Sequence, residues 1–124
     1  MESAKQRSLI GRAEQDQRLR MMAEGWRQKI EQNAPFDVFK AAKSGGAYEN
    51  PVVTVSLQRD GSLESIVIDR SSGVATIDNA VRRVVMMLSP FAPFSSEVAM
   101  EYDIVEIRRV WTFDTAVRLL YGGR

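Results

Sequence analysis

Cysteine and histidine are both missing from the 124 residues. Without cysteine there is no disulfide, no thiolate zinc site and no cysteine nucleophile. Without histidine the commonest metal ligand and the commonest general base are gone. Catalysis would have to rest on Asp, Glu, Lys, Ser or Tyr. A long apolar run is missing too. Nothing approaches the roughly 18–20 residues that cross a bilayer, and the opening Met1-Glu2-Ser3-Ala4-Lys5 has no apolar signal core. Nor is there an excess of one charge. Seventeen basic residues face sixteen acidic ones, a net charge of +1, which argues against broad electrostatic attraction to nucleic acid.

What is present suits one soluble domain with one core. Residues 4–32 are rich in helix-forming Gln, Arg, Glu, Ala and Met. Leu19, Met22, Trp26 and Ile30 recur at spacings of three and four, which places them on one helical face, best defined from Asp16 to Gln32. Upstream, Leu9, Ile10 and Ala13 give a thinner stripe interrupted by Gly11. Asn33-Ala34-Pro35 ends the helix, because proline disfavours helical geometry in the residue before it. Phe36 to Lys43 reads as a short helical turn, and Ser44-Gly45-Gly46-Ala47 as a loop.

Val52 to Gln58 alternates as a strand, with Val53, Val55 and Leu57 on one face. Arg59-Asp60-Gly61-Ser62 is a hairpin turn in which Gly61 can take positive φ. Leu63 to Arg70 is the returning strand. Leu63 is out of phase with Ile66 and Ile68, which predicts a bulge near Glu64-Ser65. After Ser71-Ser72-Gly73, Thr76 is the expected N-cap of a second helix. Ile77, Ala80, Val81, Val84, Val85 and Leu88 form its apolar stripe. Ser89 to Phe94, with two prolines, reads as an extended connector. Tyr102 to Phe113 is the last strand, with Val105, Ile107, Trp111 and Phe113 on one face and Arg109 the exception. Asp114 to Tyr121 reads as a final helical turn.

This order predicts an α+β two-layer sandwich. Its sheet has three strands in the order 2-1-3, antiparallel in type, with two helices packed on one face and a long N-terminal helix. The domain runs from 16 to 121, after a helical lead-in over 1–15 and before a frayed tail over 122–124. The last strand then lies at an edge, with unpaired backbone groups able to accept a peptide as an extra strand.

Other candidate groups read more simply as structure. Asp60-Gly61 lacks the ladder of oxygen ligands of a calcium loop. Ser71 and Ser72 have no base beside them in the sequence. Arg82-Arg83 and Arg118 read as a solvated face. Met21-Met22 and Met86-Met87 read as part core and part surface, and Trp26 and Trp111 as core anchors. Glu101, Asp103 and Glu106 cluster without a pocket-forming element. Neither catalytic, metal nor cofactor residues are assigned, and no enzymatic activity is expected.

Glu24-Gly25-Trp26-Arg27-Gln28-Lys29-Ile30-Glu31, Arg59-Asp60-Gly61-Ser62, Arg70-Ser71-Ser72-Gly73, Ile77-Asp78-Asn79-Ala80-Val81, Ser89-Pro90-Phe91-Ala92-Pro93-Phe94 and Ile107-Arg108-Arg109-Val110-Trp111-Thr112-Phe113 occur in that order. As an ordered set they resemble the TonB C-terminal domain family of energy transducers, with its TolA-like relatives, over roughly residues 20–113. The sequence departs from the family between residues 33 and 50. The usual Tyr-Pro lead-in is replaced there, with Pro35 and Pro51 in different places.

The resemblance implies a non-catalytic periplasmic domain of an inner-membrane-anchored protein in the Gram-negative cell envelope. The anchor and a proline-rich spacer are expected outside this chain, as is contact with an ExbB/ExbD-like or TolQ/TolR-like motor. The implied partner is a peptide of an outer-membrane TonB-dependent transporter, held by β-augmentation so that force drives active uptake. The candidate peptide-binding edge comprises Tyr102, Ile104, Glu106, Arg108, Arg109, Val110 and Thr112, with Arg108 or Arg109 setting register. A TolA-like envelope-integrity role and a self-associating envelope domain, including a homodimer, share the same fold and edge.

Overall fold

A computed structural model describes residues 7–10, 16–34, 36–44, 46–113 and 116–121. Nine elements follow one another: β1 (Arg7–Ile10), α1 (Gln17–Asn33), α2 (Phe36–Ser44), β2 (Val52–Gln58), β3 (Leu63–Arg70), α3 (Ala75–Leu88), α4 (Ser96–Glu101), β4 (Ile104–Thr112) and β5 (Arg118–Tyr121). The expected helices and strands from α1 to β4 are present. Residues 1–6 and 11–15 of the expected lead-in, Pro35, Gly45, residues 114–115 and the tail over 122–124 lie outside the described residues.

Local chemistry explains several of the boundaries. Asp16 caps α1, its Oδ1 accepting from the Arg18 N–H at 2.9 Å, which satisfies one of the orphan donors of a helix N-terminus. The β2–β3 hairpin turns at Gly61, whose φ is +88°. The predicted bulge is there: Ser56 pairs with Ser65 and Leu57 with Leu63, so Glu64 is the extra residue. Thr76 does not cap α3, which already begins at Ala75. Instead the Asp78 carboxylate accepts from the Ser71 hydroxyl, the Ser72 N–H (3.0 Å) and the Ser72 hydroxyl (2.7 Å). The Ser72 Oγ in turn accepts from the Val74 N–H at 3.1 Å. Sequence patterning missed α4, a six-residue helix capped by Ser95.

The sheet corrects the three-stranded expectation. Its path is β1-β4-β2-β3, with β5 also on β4. The expected 2-1-3 order survives as β3-β2-β4, both pairs antiparallel. Two short strands from opposite ends of the chain are added to it. β1 pairs with β4 in parallel, making the sheet mixed, and β5 pairs with it antiparallel. Residues 7–10, expected as helix, form β1, and residues 118–121, expected as a helical turn, form β5. The physical reason is shared. A nine-residue strand with an open side leaves a row of N–H and C=O groups to be satisfied. That tertiary demand outweighs the weak local helical preference of four-residue segments.

One hydrophobic cluster joins Leu19, Ala23, Trp26 and Ile30 of α1, Val38 of α2 and the α3 stripe to strand residues of alternating positions. Those strand residues are Val53, Val55 and Leu57 of β2 and Val105, Ile107 and Trp111 of β4. Each large side chain fully buried here contributes roughly 1.5–3 kcal/mol. The opposite positions carry polar groups. There the Thr54 hydroxyl donates to Asp69, and the Ser56 hydroxyl to Glu106 at 3.3 Å.

The connector between α3 and α4 is tied to the hairpin by backbone hydrogen bonds. The Phe91 N–H donates to the Gly61 carbonyl at 2.8 Å, and the Phe94 N–H to the Arg59 carbonyl at 2.9 Å. Phe91 and Phe94 are both buried by this docking.

Candidate functional site

β4 carries most of the candidate edge, and its outer side is not bare. Arg7 to Ile10 lie opposite Ile104 to Ile107, and Tyr121 to Arg118 lie opposite Arg109 to Thr112. The free edge inferred from the sequence is therefore occupied by the chain's own strands. The cover changes hands at Arg108, between the two registers.

The seven candidate residues divide by environment. Tyr102 precedes the strand and is the C-cap of α4, its N–H donating to the Val98 carbonyl at 2.9 Å. Ile104 is fully buried. Glu106 accepts from Ser56, and Arg108 approaches Asp69 at 3.8 Å on the polar side of the sheet. Thr112 is joined to β5 by its hydroxyl, 3.5 Å from the Arg118 carbonyl. Val110 is half-buried and pairs with Leu120.

Arg109 is the exception that the strand pattern predicted, and it is only 4% exposed. Its position alternates with Ile107 and Trp111, so it faces the interior. Burial pushes its guanidinium below the ordinary arginine range, opposed by the nearby Tyr121 and Glu24. The guanidinium lies 4.9 Å from the centre of the Tyr121 ring and donates to the Arg108 carbonyl at 2.8 Å. The Tyr121 ring of β5 thus lies against this side chain of β4.

Further anchors hold β5. The Leu119 N–H donates to Glu31 Oε2 at 2.8 Å, and Glu31 Oε1 accepts from Arg27 at 2.6 Å. Arg27 also pairs with Glu24, which holds the Glu24 carboxyl below its usual range. Leu119 and Val117 are buried.

A second feature lies apart from β4. A cleft of about 490 Å³ opens between α1, the connector and the start of α4. Met21, Met22, Trp26, Leu57, Phe91 and Val98 give it apolar walls, and Gly25 lies in its lining. A glycine inside a helix costs about 1 kcal/mol relative to alanine. A Cβ at Gly25 would meet nothing within 4 Å, so close packing does not explain the residue. No sequence pattern marks this cleft, because its walls come from three separate stretches of the chain, residues 18–29, Leu57 and residues 91–98.

Among the described residues no cluster of three or more Asp or Glu could hold a metal ion. Among them, too, no helix is long and apolar enough to cross a membrane. The fold and its central strand define the class: a small α+β domain with a mixed sheet, whose longest strand carries six of the seven candidate partner-binding residues. Residues 24–105 match the TonB C-terminal family, and the chain belongs to it. This is a family of non-catalytic, periplasmic transducer domains. No curated protein and no solved structure matches the chain significantly.

Proposed function

We propose that this chain is the periplasmic binding domain of an inner-membrane-anchored energy transducer. It takes up a peptide of an outer-membrane transporter as a strand along β4 and transmits force to the transporter for active uptake. Family membership over residues 24–105 is the observation that carries this reading. The architecture of β4 supports it. β4 is nine residues long, and its outer side is covered by two four-residue strands instead of one continuous neighbour. Each ladder hydrogen bond contributes only about 1 kcal/mol net, so a peptide of similar length can exchange with either short strand.

Exchange, and not addition to a bare edge, is the proposed step. A peptide in the place of β1 would run parallel to Ile104–Ile107, and one in the place of β5 antiparallel to Arg109–Thr112. Arg108, on the polar side of the sheet, is the cation that can meet an acidic peptide side chain. Bonds spread along a strand share a pull applied along it, so reversible binding is compatible with resisting a brief load. The membrane anchor and an ExbB/ExbD-like motor would be reached through segments outside these 124 residues.

Amide NMR during titration with synthetic N-terminal transporter peptides tests the reading. Shifts along Ile104–Thr112, with loss of protection in either Arg7–Ile10 or Arg118–Tyr121, are expected. No response of β4 to any such peptide would remove transporter engagement and favour a TolA-like partner. Self-association has its own supporting observation: the far side of β3 has no strand partner among the described residues, and Val67 on it is exposed. Concentration-dependent protection of Leu63–Arg70 in the free protein would identify a homodimer.

A further inference from the structure

We propose that two copies of this chain join through the outer edge of β3, antiparallel and in a single register chosen by charge. This contact gives the self-association reading a definite surface and rests on that reading. It leaves the outer side of β4 untouched, because β2 lies between the two strands.

The edge is long and lightly guarded. β3 spans eight residues, whereas the opposite side of the sheet is closed by the two short strands on β4. Among the described residues no strand pairs with the outer side of β3. Open edges are commonly blunted by lysine or proline, and Leu63–Arg70 contains neither. Its bulges, at Glu64 and Asp69, bracket a regular stretch from Ser65 to Ile68. Ile66 and Ile68 are only partly buried against the core, and Val67, which projects from the other face, is 48% exposed. Glu64 and Arg70 are exposed at either end. Arg70 donates to the Asn50 carbonyl at 3.0 Å, and a guanidinium carries five donors in all.

The residue pattern of this strand complements itself when reversed. With Val67 opposite Val67 of the second copy, Ile66 lies opposite Ile68, Ser65 opposite Asp69 and Glu64 opposite Arg70. The two-fold axis repeats the last three pairs, so the contact has an apolar centre and an ion pair at each end. Side chains alternate along a strand, so this register puts the helices of both copies on the same face of one continuous sheet. Neighbouring registers fit worse. A slip of one residue sets Glu64 against Asp69 in one direction and Ile66 against Asp69 in the other. A slip of two sets Ile68 against Glu64 or Ile66 against Arg70. Like charges directly opposed on paired strands are unfavourable, and opposite charges are favourable. The pattern therefore selects a second copy of this chain in one alignment.

Sedimentation equilibrium of the whole chain tests the contact. A weak, reversible dimer is expected, because one strand-to-strand contact lies at the small end of the interface scale. Glu64→Arg and Arg70→Glu each turn both end pairs into like-charge pairs, and each should weaken self-association about tenfold. Mixed in equal amounts the two variants complement each other, since one carries only cations at positions 64 and 70 and the other only anions. The mixture should dimerise more tightly than either variant alone, and high salt should erase that advantage. Val67→Lys sets two like charges against each other at the axis and should abolish the dimer. All three positions are exposed, so the substitutions should leave the thermal melt nearly unchanged. A dimer unaffected by all three, or a mixture no tighter than its components, would overturn this register and leave self-association to another surface. A monomer at every concentration would overturn the register and the self-association reading together.

Discussion

Gly61→Ala and Gly73→Ala make a matched pair that isolates the docking of the connector onto the hairpin. Both glycines have positive φ, +88° and +84°, so both substitutions carry the left-handed penalty of roughly 1–2 kcal/mol. Their surroundings differ. A Cβ at Gly73 meets nothing within 4 Å, whereas one at Gly61 falls 2.0 Å from the Phe91 carbonyl oxygen and 2.8 Å from its carbon. Those are backbone atoms and cannot rotate aside. The connector must back away, stretching or breaking the Phe91–Gly61 and Phe94–Arg59 hydrogen bonds, each worth about 1 kcal/mol. Part of the burial of Phe91 and Phe94 goes with them. The expected cost of Gly61→Ala is about 3–5 kcal/mol, against about 1–2 for Gly73→Ala. With a urea m-value of about 1.5 kcal/mol/M, the midpoint should fall by about 2–3 M for Gly61 and by about 1 M for Gly73. Equal shifts would refute the reasoning, because the connector would then contribute nothing through this contact.

Asp78→Ala removes the acceptor of three hydrogen bonds at the start of α3 and should cost about 1–2 kcal/mol at neutral pH, the scale of a lost helix cap. Burial opposes ionisation of Asp78, but the hydrogen bonds from Ser71 and Ser72 prevail and its folded pKa lies below the ordinary value. Its contribution is therefore complete above the unfolded pKa of about 3.9 and lost as pH falls through the lower folded value. Urea midpoints of the wild type and variant should converge there, and a gap that persists to strong acid would exclude the carboxylate as its cause. Glu31→Ala deprives the Leu119 N–H of its acceptor. Hydrogen exchange at Leu119 should quicken by at least about tenfold, as expected for a bond to a charged group, while exchange in β2 stays unchanged. Arg109→Met replaces a buried cation with an apolar side chain of similar length and should change stability by less than about 1 kcal/mol, since buried charges seldom add net stability. A loss above about 3 kcal/mol in a thermal melt would show that the charge itself holds β5.

The elements that could be read from residue order are those whose period and length carry enough signal. The stripe from Ile77 to Val85 has helical spacing over more than two turns, and all of it is buried. Val53, Val55 and Leu57 alternate and are buried. Asp60-Gly61 specifies its turn by chemistry, and the phase slip at Leu63 foretold the extra residue at Glu64. Even the oddity of Arg109 was visible, as a charge at an inward position of an apolar strand. These features are local, so the sequence by itself determined them.

Tertiary structure decided the rest. Arg7–Ile10 and Arg118–Tyr121 are four residues each, too short for periodicity to distinguish strand from helix. Their state follows from the hydrogen-bonding capacity of β4, nearly a hundred residues from β1 in the chain. The same contact turned the expected free edge into an occupied one. The cleft beside Trp26 had no sequence signature either, because a void is defined by what fails to meet across it. Residue order fixed what each segment could form, and the unpaired groups and unfilled space left after packing determined which segments the ends of the chain would join.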